Sequence, residues 1–282
     1  MKGRICIVTG ANAGIGKETV KGLARQGATV VMACRSPERG QAARADVLGV
    51  VGDADVAVMK LDLASKASIE AFAREFDATY PALHVLLNNA GLISLKRTLT
   101  ADGFETTFGV NHLGGFYLTH LLRGKLESSA PARVINVASD AHFRAKWDPA
   151  DLQNERRYTT FGAYARSKLA NVLYTRELAR RLEGTGVTAN CLHPGVIATN
   201  LFPLPKFALA LMGLFTISEE QGADTSLHLA TAPEFDRLSG GYYDERKLVT
   251  PSRDARDDAA AAMLWAESSR LLGLPEVAGS PA

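Results

Sequence analysis

The sequence predicts a single-domain α/β protein, a doubly wound and mainly parallel sheet with helices on both faces. Three observations carry this. Short apolar runs recur along the chain, the segments between them have helical spacing, and the first run passes directly into a glycine-rich turn that opens a helix. At 282 residues the chain can bury a large core, and an α/β unit of this size commonly stays one domain.

Strands are expected at residues 5–8, 29–33, 56–59, 85–87, 134–137 and 188–192, with a short last strand near Tyr242 and Tyr243 at one edge. Helices fit the gaps. One over 17–26 stops at Gly27, one starts at Pro37 behind a Ser36 cap, and one over 164–182 stops at Gly184. Right-handed crossovers between such units place helices on both faces. The domain is drawn over 1–274, including a substrate lid at about 197–220, with a fraying tail over 275–282.

Charge narrows the partner class. Basic and acidic residues nearly cancel at a net +2 and form no basic run, so nucleic acid is not an expected partner and a small molecule is. Cys6, Cys34 and Cys191 sit in or beside strand-like runs without metal spacing and read as reduced core thiols; no metal is expected. The six histidines also lack ligand spacing and read as structural, except that His142 and His193 are placed to line a cleft. The apolar stretch 207–215 is much shorter than the ~20 residues of a membrane span. It reads as a lid or core helix, with peripheral membrane contact or a dimer surface as the alternatives. The chain enters its first strand at once, without room for a leader, which makes a cytoplasmic location the expectation.

The glycine turn carries the first chemistry. It reads Thr9-Gly10-Ala11-Asn12-Ala13-Gly14-Ile15-Gly16-Lys17. Side chains at Gly10, Gly14 or Gly16 would obstruct the turn, a pyrophosphate, or helix–strand packing, while the helix N-terminus offers free N–H groups to an anion. This predicts a dinucleotide site, although the spacing differs from Gly-x-Gly-x-x-Gly. The second strand ends in Arg35, where an acidic residue would favour a ribose hydroxyl and an arginine a 2′-phosphate. With Lys17 as a second cation, NADP(H) is the expected cofactor.

Tyr164 and Lys168 carry the second. Four residues apart on a helix, they share a face, and an ammonium beside a phenol favours phenolate and general acid/base work. Such a pair suits a carbonyl or an alcohol.

Together these segments resemble the short-chain dehydrogenase/reductase family: the glycine turn, Asn88-Asn89-Ala90-Gly91, Asn111, Ser139, Tyr164-x-x-x-Lys168 and Pro194-Gly195. Within it the chain looks most like the retinol dehydrogenase branch, through Gly16-Lys17-Glu18-Thr19, Ala33-Cys34-Arg35, Ser167-Lys168-Leu169-Ala170-Asn171 and the interval of 25 residues from Ser139 to Tyr164. The resemblance implies a Rossmann-type fold. It implies Tyr164 as acid/base, Lys168 on the nicotinamide ribose, Ser139 on the substrate oxygen, and Asn111 beside a water linked to Lys168. It also implies Asp62 and Leu63 at the adenine, Asn89, Ala90 and Gly91 along the adenosine side, and Pro194, Gly195 and Thr199 at the carboxamide. Asn88 would mainly hold strands together.

The chain departs from the branch at Gly115 and Ala138, where histidine and serine are usual, and it begins at the first strand where members generally carry a hydrophobic anchor. A soluble NADP(H)-dependent oxidoreductase for a hydrophobic aldehyde or ketone and its alcohol is the expectation. A non-catalytic NADP(H) sensor or scaffold, and a dehydratase, epimerase or isomerase, are the alternatives. A homo-oligomer fits the family habit.

Overall fold

Strand and helix alternate from the first residues of the computed structural model, which describes residues 1–195 and 217–275. The order is β1 (Ile5–Thr9), α1 (Gly14–Arg25), β2 (Thr29–Cys34), α2 (Pro37–Val51), β3 (Val56–Lys60), α3 (Lys66–Thr79) and β4 (Val85–Asn88). A short α4 (Thr106–Phe108) runs through a π-helical turn (Gly109–Leu113) into α5 (Gly114–Ser128), then β5 (Ala132–Val137), α6 (Thr160–Arg181) and β6 (Val187–His193). Beyond the undescribed segment come α7 (Glu219–Thr231), β7 (Tyr242–Asp244), β8 (Lys247–Val249) and α8 (Asp258–Leu272).

Among the described residues the strands form one sheet in the order β3-β2-β1-β4-β5-β6-β7-β8, parallel throughout except for β8. The order reverses between β1 and β4, the switch point at which open α/β sheets bind ligands. Successive residues of β1 feed opposite faces, as a strand period of two requires. Ile5 and Ile7 join a core with Phe72, Phe76 and Phe116, from α3 and α5, and Leu173 from α6. Cys6 and Val8 join a second core with Val20, Leu23, Val47 and Leu229, from α1, α2 and α7. The three thiols are free and buried, and burial pushes Cys6 and Cys191 up to about 12 and Cys34 up to about 11, so they stay protonated at neutral pH.

The expected strands are present, each extended by a residue or two. Tyr242 and Tyr243 do lie in a strand, but that strand is not at the edge. A hairpin turn at Glu245 and Arg246, with φ of 46° and 64°, folds β8 outside it. Two helices start earlier than their spacing predicts. Gly14 and Gly16 lie inside the first turn of α1, and Thr159 caps α6 by accepting from Gly162 N–H at 3.1 Å, ahead of Tyr164. Ser36 caps α2 as expected, accepting from Arg39 N–H with Pro37 at the first helical position.

No helix among the described residues is long and apolar enough to cross a membrane. The apolar stretch 207–215 lies outside the described residues, as do Thr199, most of the expected lid and the tail from 276. The lid's last positions are described, and Glu219 and Glu220 already belong to α7 behind a Ser218–Gln221 capping box.

Candidate active site

The carboxyl ends of β1, β2 and β4 open onto a cleft of about 520 Å³. Gly10, Asn12, Gly14, Ile15, Gly16, Arg35, Asp62, Leu63, Asn89, Ala90, Gly91, Tyr164, Lys168 and Pro194 all line it. The glycine turn is built for close approach. Gly10 has φ +65°, and a Cβ there would lie 2.9 Å from the Ala90 backbone; one at Gly16 would lie 2.6 Å from the Gly10 carbonyl oxygen. Thr9 stitches the turn to β4. Its Oγ1 accepts from the N–H groups of Asn89 and Ala90, each at 3.0 Å, and its carbonyl accepts from the Asn89 amide at 2.8 Å.

Two of the expected cofactor cations part company. Arg35 faces the cleft, whereas Lys17 is not among its lining residues and pairs with Asp46 at 3.3 Å. A second arginine, Arg39, lines the cleft beside Arg35. Sequence reading missed it, although its place in the first turn behind the Ser36 cap was a usable signal. Glu219 at the start of α7 also lines the cleft and was missed. Gly195 lies two residues past β6 with φ +86°, and a Cβ there would strike the Ile217 side chain.

α6 presents Tyr164 and Lys168 to the same cavity, with the lysine Nζ 5.6 Å from the ring centre. The expectation of a permanent cation depressing the phenol needs correction. Burial pushes Lys168 itself down to about 8, while its Nζ donates to the Val137 carbonyl at 2.9 Å. Burial also holds the Tyr164 phenol above its ordinary value, opposed by a hydrogen bond with Ser139 and reinforced by the nearby Asp140. Desolvation therefore outweighs charge pairing at this site.

Ser139 lies two residues past the end of β5 and caps the turn that follows. Its Oγ accepts from Ala141 N–H at 3.2 Å, capping a short 3-10 turn, and it also hydrogen-bonds Tyr164. It donates to Asp140 Oδ1 at 3.2 Å. Asn111 sits in the π-helical turn, a feature that recurs at functional sites. Both its amide hydrogens are engaged, with Leu92 O at 3.0 Å and Ser167 Oγ at 3.0 Å. Gly91 brings it near the lysine: a Cβ there would lie 3.4 Å from Asn111 Oδ1 and 3.6 Å from Lys168 Nζ.

Asn88 does hold strands, donating to Asn136 Oδ1 on β5 at 2.9 Å and to Thr119 at 3.1 Å. His142 and His193 are not among the residues lining the cleft; they stand behind Ser139 and Asp140. Of the two departures, Ala138 lines the cleft, while Gly115 borders a small separate cavity behind its wall.

A family model described as short chain dehydrogenase matches residues 4–204. The chain is 47% identical to retinol dehydrogenase 12 of Mus musculus over 275 residues, covering 96% of this chain and 87% of the relative. It is 46% identical to retinol dehydrogenase 11 of Homo sapiens over 278 residues, covering 98% and 87%. The crystal structure of an uncharacterized protein from Mycobacterium paratuberculosis superposes with a TM-score of 0.80 at 35% identity, covering 97% of this chain and 94% of that one.

Proposed function

The chain belongs to the short-chain dehydrogenase family and is a retinol dehydrogenase-like oxidoreductase; on that premise we propose that it interconverts a hydrophobic aldehyde or ketone and its alcohol using NADP(H). The observation that carries this reading is that Tyr164, hydrogen-bonded to the buried Ser139 next to the lining residue Ala138, faces the same cleft as Arg35 and Arg39.

The cleft suits a dinucleotide, because Gly10, Gly14 and Gly16 line it without side chains and a Cβ at Gly10 or Gly16 would strike Ala90 or the Gly10 carbonyl and open the turn. Arg35 and Arg39 would hold the 2′-phosphate as planar, permanently charged donors. Asp62 and Leu63 would meet the adenine, Asn89, Ala90 and Gly91 the adenosine side, and Pro194, Gly195 and Thr199 the carboxamide. The cofactor, when bound, supplies or accepts the hydride.

The chain's own groups handle the oxygen and the proton. Ser139 and Tyr164 would donate hydrogen bonds to the carbonyl oxygen as charge develops there, and Tyr164 would deliver its proton during reduction and recover it during oxidation. A phenol kept protonated by burial suits the reductive direction. Lys168, donating to Val137 O from full burial, would order the ribose. Ile93 lines the cleft and packs with Ala141 and Tyr164, and exposed Leu95 and Phe161 flank the Thr160–Leu95 hydrogen bond nearby, which favours an apolar substrate.

The test follows NADPH absorbance with a panel of hydrophobic aldehydes and ketones in wild type and Tyr164→Phe. Wild-type turnover reduced about 10²–10⁴-fold in the variant, with NADPH binding retained, is expected. Equal turnover in both proteins would refute Tyr164 as the proton donor.

A further inference from the structure

We propose that His142 is a positioning residue for Ser139: it fixes the serine's backbone so that the hydroxyl keeps its aim at the substrate oxygen. This rests on the reading of Ser139 as a hydrogen-bond donor in catalysis.

The imidazole is fully buried and bonded at both nitrogens. Ser252 N–H lies 3.1 Å from Nε2, and a backbone N–H can only donate, so Nε2 must be the unprotonated nitrogen. The proton is then on Nδ1, which donates to the Ser139 carbonyl oxygen at 2.6 Å. That carbonyl also accepts from the His142 N–H at 3.2 Å. The Ser139 carbonyl is thus held by two donors, and a displacement of this segment would shift the serine Cα and its Oγ with it.

The ring cannot easily swing away. It meets Tyr242 of β7 edge-on, with centres 4.8 Å apart at 69°, and lies 4.1 Å from the Phe143 ring. The opposite anchor, Ser252, comes from a loop 110 residues further along the chain. That loop is itself tied down, with Ser252 Oγ accepting from Ala255 N–H and Asp254 Oδ2 accepting from Trp147 N–H at 2.9 Å. A histidine is suited to this place because one flat ring supplies a donor at one edge and an acceptor at the other. Protonation would put a second hydrogen opposite Ser252 N–H, and burial disfavours it by holding the imidazole below its ordinary value.

The experiment is a double-mutant cycle read by steady-state reduction of the best aldehyde found with wild type. It uses His142→Phe, His142→Asn, Ser139→Ala and the Ser139→Ala/His142→Phe double variant, with NADPH affinity measured by fluorescence titration. His142→Phe should lower kcat about 10–100-fold with NADPH affinity within about twofold, since small misplacements of a reacting group cost on this scale. His142→Asn, which keeps a donor near the Nδ1 position, should recover most of that loss and also serves if the phenylalanine variant does not fold. In the Ser139→Ala background His142→Phe should cost less than about twofold more, because the group it positions is already gone. Multiplicative losses in the double variant, or Asn no better than Phe, would overturn the proposal. Wild type lacking tyrosine-dependent turnover would instead overturn the reading beneath it.

Discussion

At the scale of single residues, the active site is governed by desolvation more than by pairing. Lys168 is brought down to about 8 from 10.5 with burial as the cause, so the folded protein binds its proton less tightly than the unfolded chain does. The sign follows from linkage: this group's contribution to stability is unfavourable below about pH 8, improves as pH rises from 8 to 10.5, and is fully relieved above that window. Lys168→Met should therefore stabilise the fold at pH 7 by as much as about 3 kcal/mol, read as a higher urea midpoint, while abolishing turnover. The Val137 carbonyl would not be orphaned, because Asn171 Nδ2 also reaches it at 3.3 Å. A lower midpoint would show that the Lys168–Val137 bond contributes more than burial costs. The Tyr-x-x-x-Lys spacing made the pair legible in sequence. Its electrostatics were not, because burial at Lys168 arises from β5 and the 88–92 loop folding over α6, and no local pattern encodes that. Asn111 illustrates the same limit: a lone asparagine in sequence, it becomes a fully committed bracket between Leu92 and Ser167 only when α5 and α6 meet.

At the scale of elements, the glycine turn and the β2–α2 connection do different work. The turn supplies space and backbone donors that any dinucleotide could use, whereas the connection supplies the charge that would distinguish a 2′-phosphate from a 2′-hydroxyl. Arg35 leaves the end of β2, and Arg39 returns to the same cleft from the first turn of α2. Arg35→Ala and Arg39→Ala should each weaken NADPH binding about tenfold or more, by the loss of one charge-assisted contact, and leave NADH binding nearly unchanged. Parallel losses for both nucleotides would overturn the assignment to the 2′-phosphate. The strand–turn–helix unit was legible because buried parallel strands read as continuous apolar runs. Lys17 shows that proximity along the chain does not fix direction: on α1 it pairs with Asp46 of α2 and does not line the cleft. Two elements left no usable trace. β8 is three residues long with exposed Lys247 and Leu248, and the π-helical turn differs from an α-helix by one residue in its hydrogen-bonding step.

At the scale of the whole molecule, the C-terminal helix closes one core without entering the cleft. α8 lays Trp265 against Phe116 of α5 with ring centres 4.8 Å apart and against Tyr174 of α6 at 5.9 Å, while the Arg181 guanidinium covers the indole at 4.4 Å. The helix carried sequence signals that went unread, an Asp257 cap and a terminal Gly273 at φ 69°, because its alanine-rich body shows little amphipathic contrast. Trp265→Ala should cost about 3 kcal/mol, the lower end of the ~3–5 kcal/mol range for removing a large aromatic, since the indole is only partly buried. Turnover per folded molecule should stay within about twofold. Tyr164 and Lys168 lie in the N-terminal half of α6, away from Tyr174 and Arg181, and the Ser252 bond to His142 is made before α8 begins. One path does run from α8 toward the site, through Ser268 to His112 at 2.9 Å and so into the turn that holds Asn111. A denaturation midpoint measured beside kcat separates the two effects: a lower midpoint with unchanged kcat marks α8 as a cover for the core, whereas a loss of kcat in fully folded protein would show that His112 transmits its position to the catalytic turn.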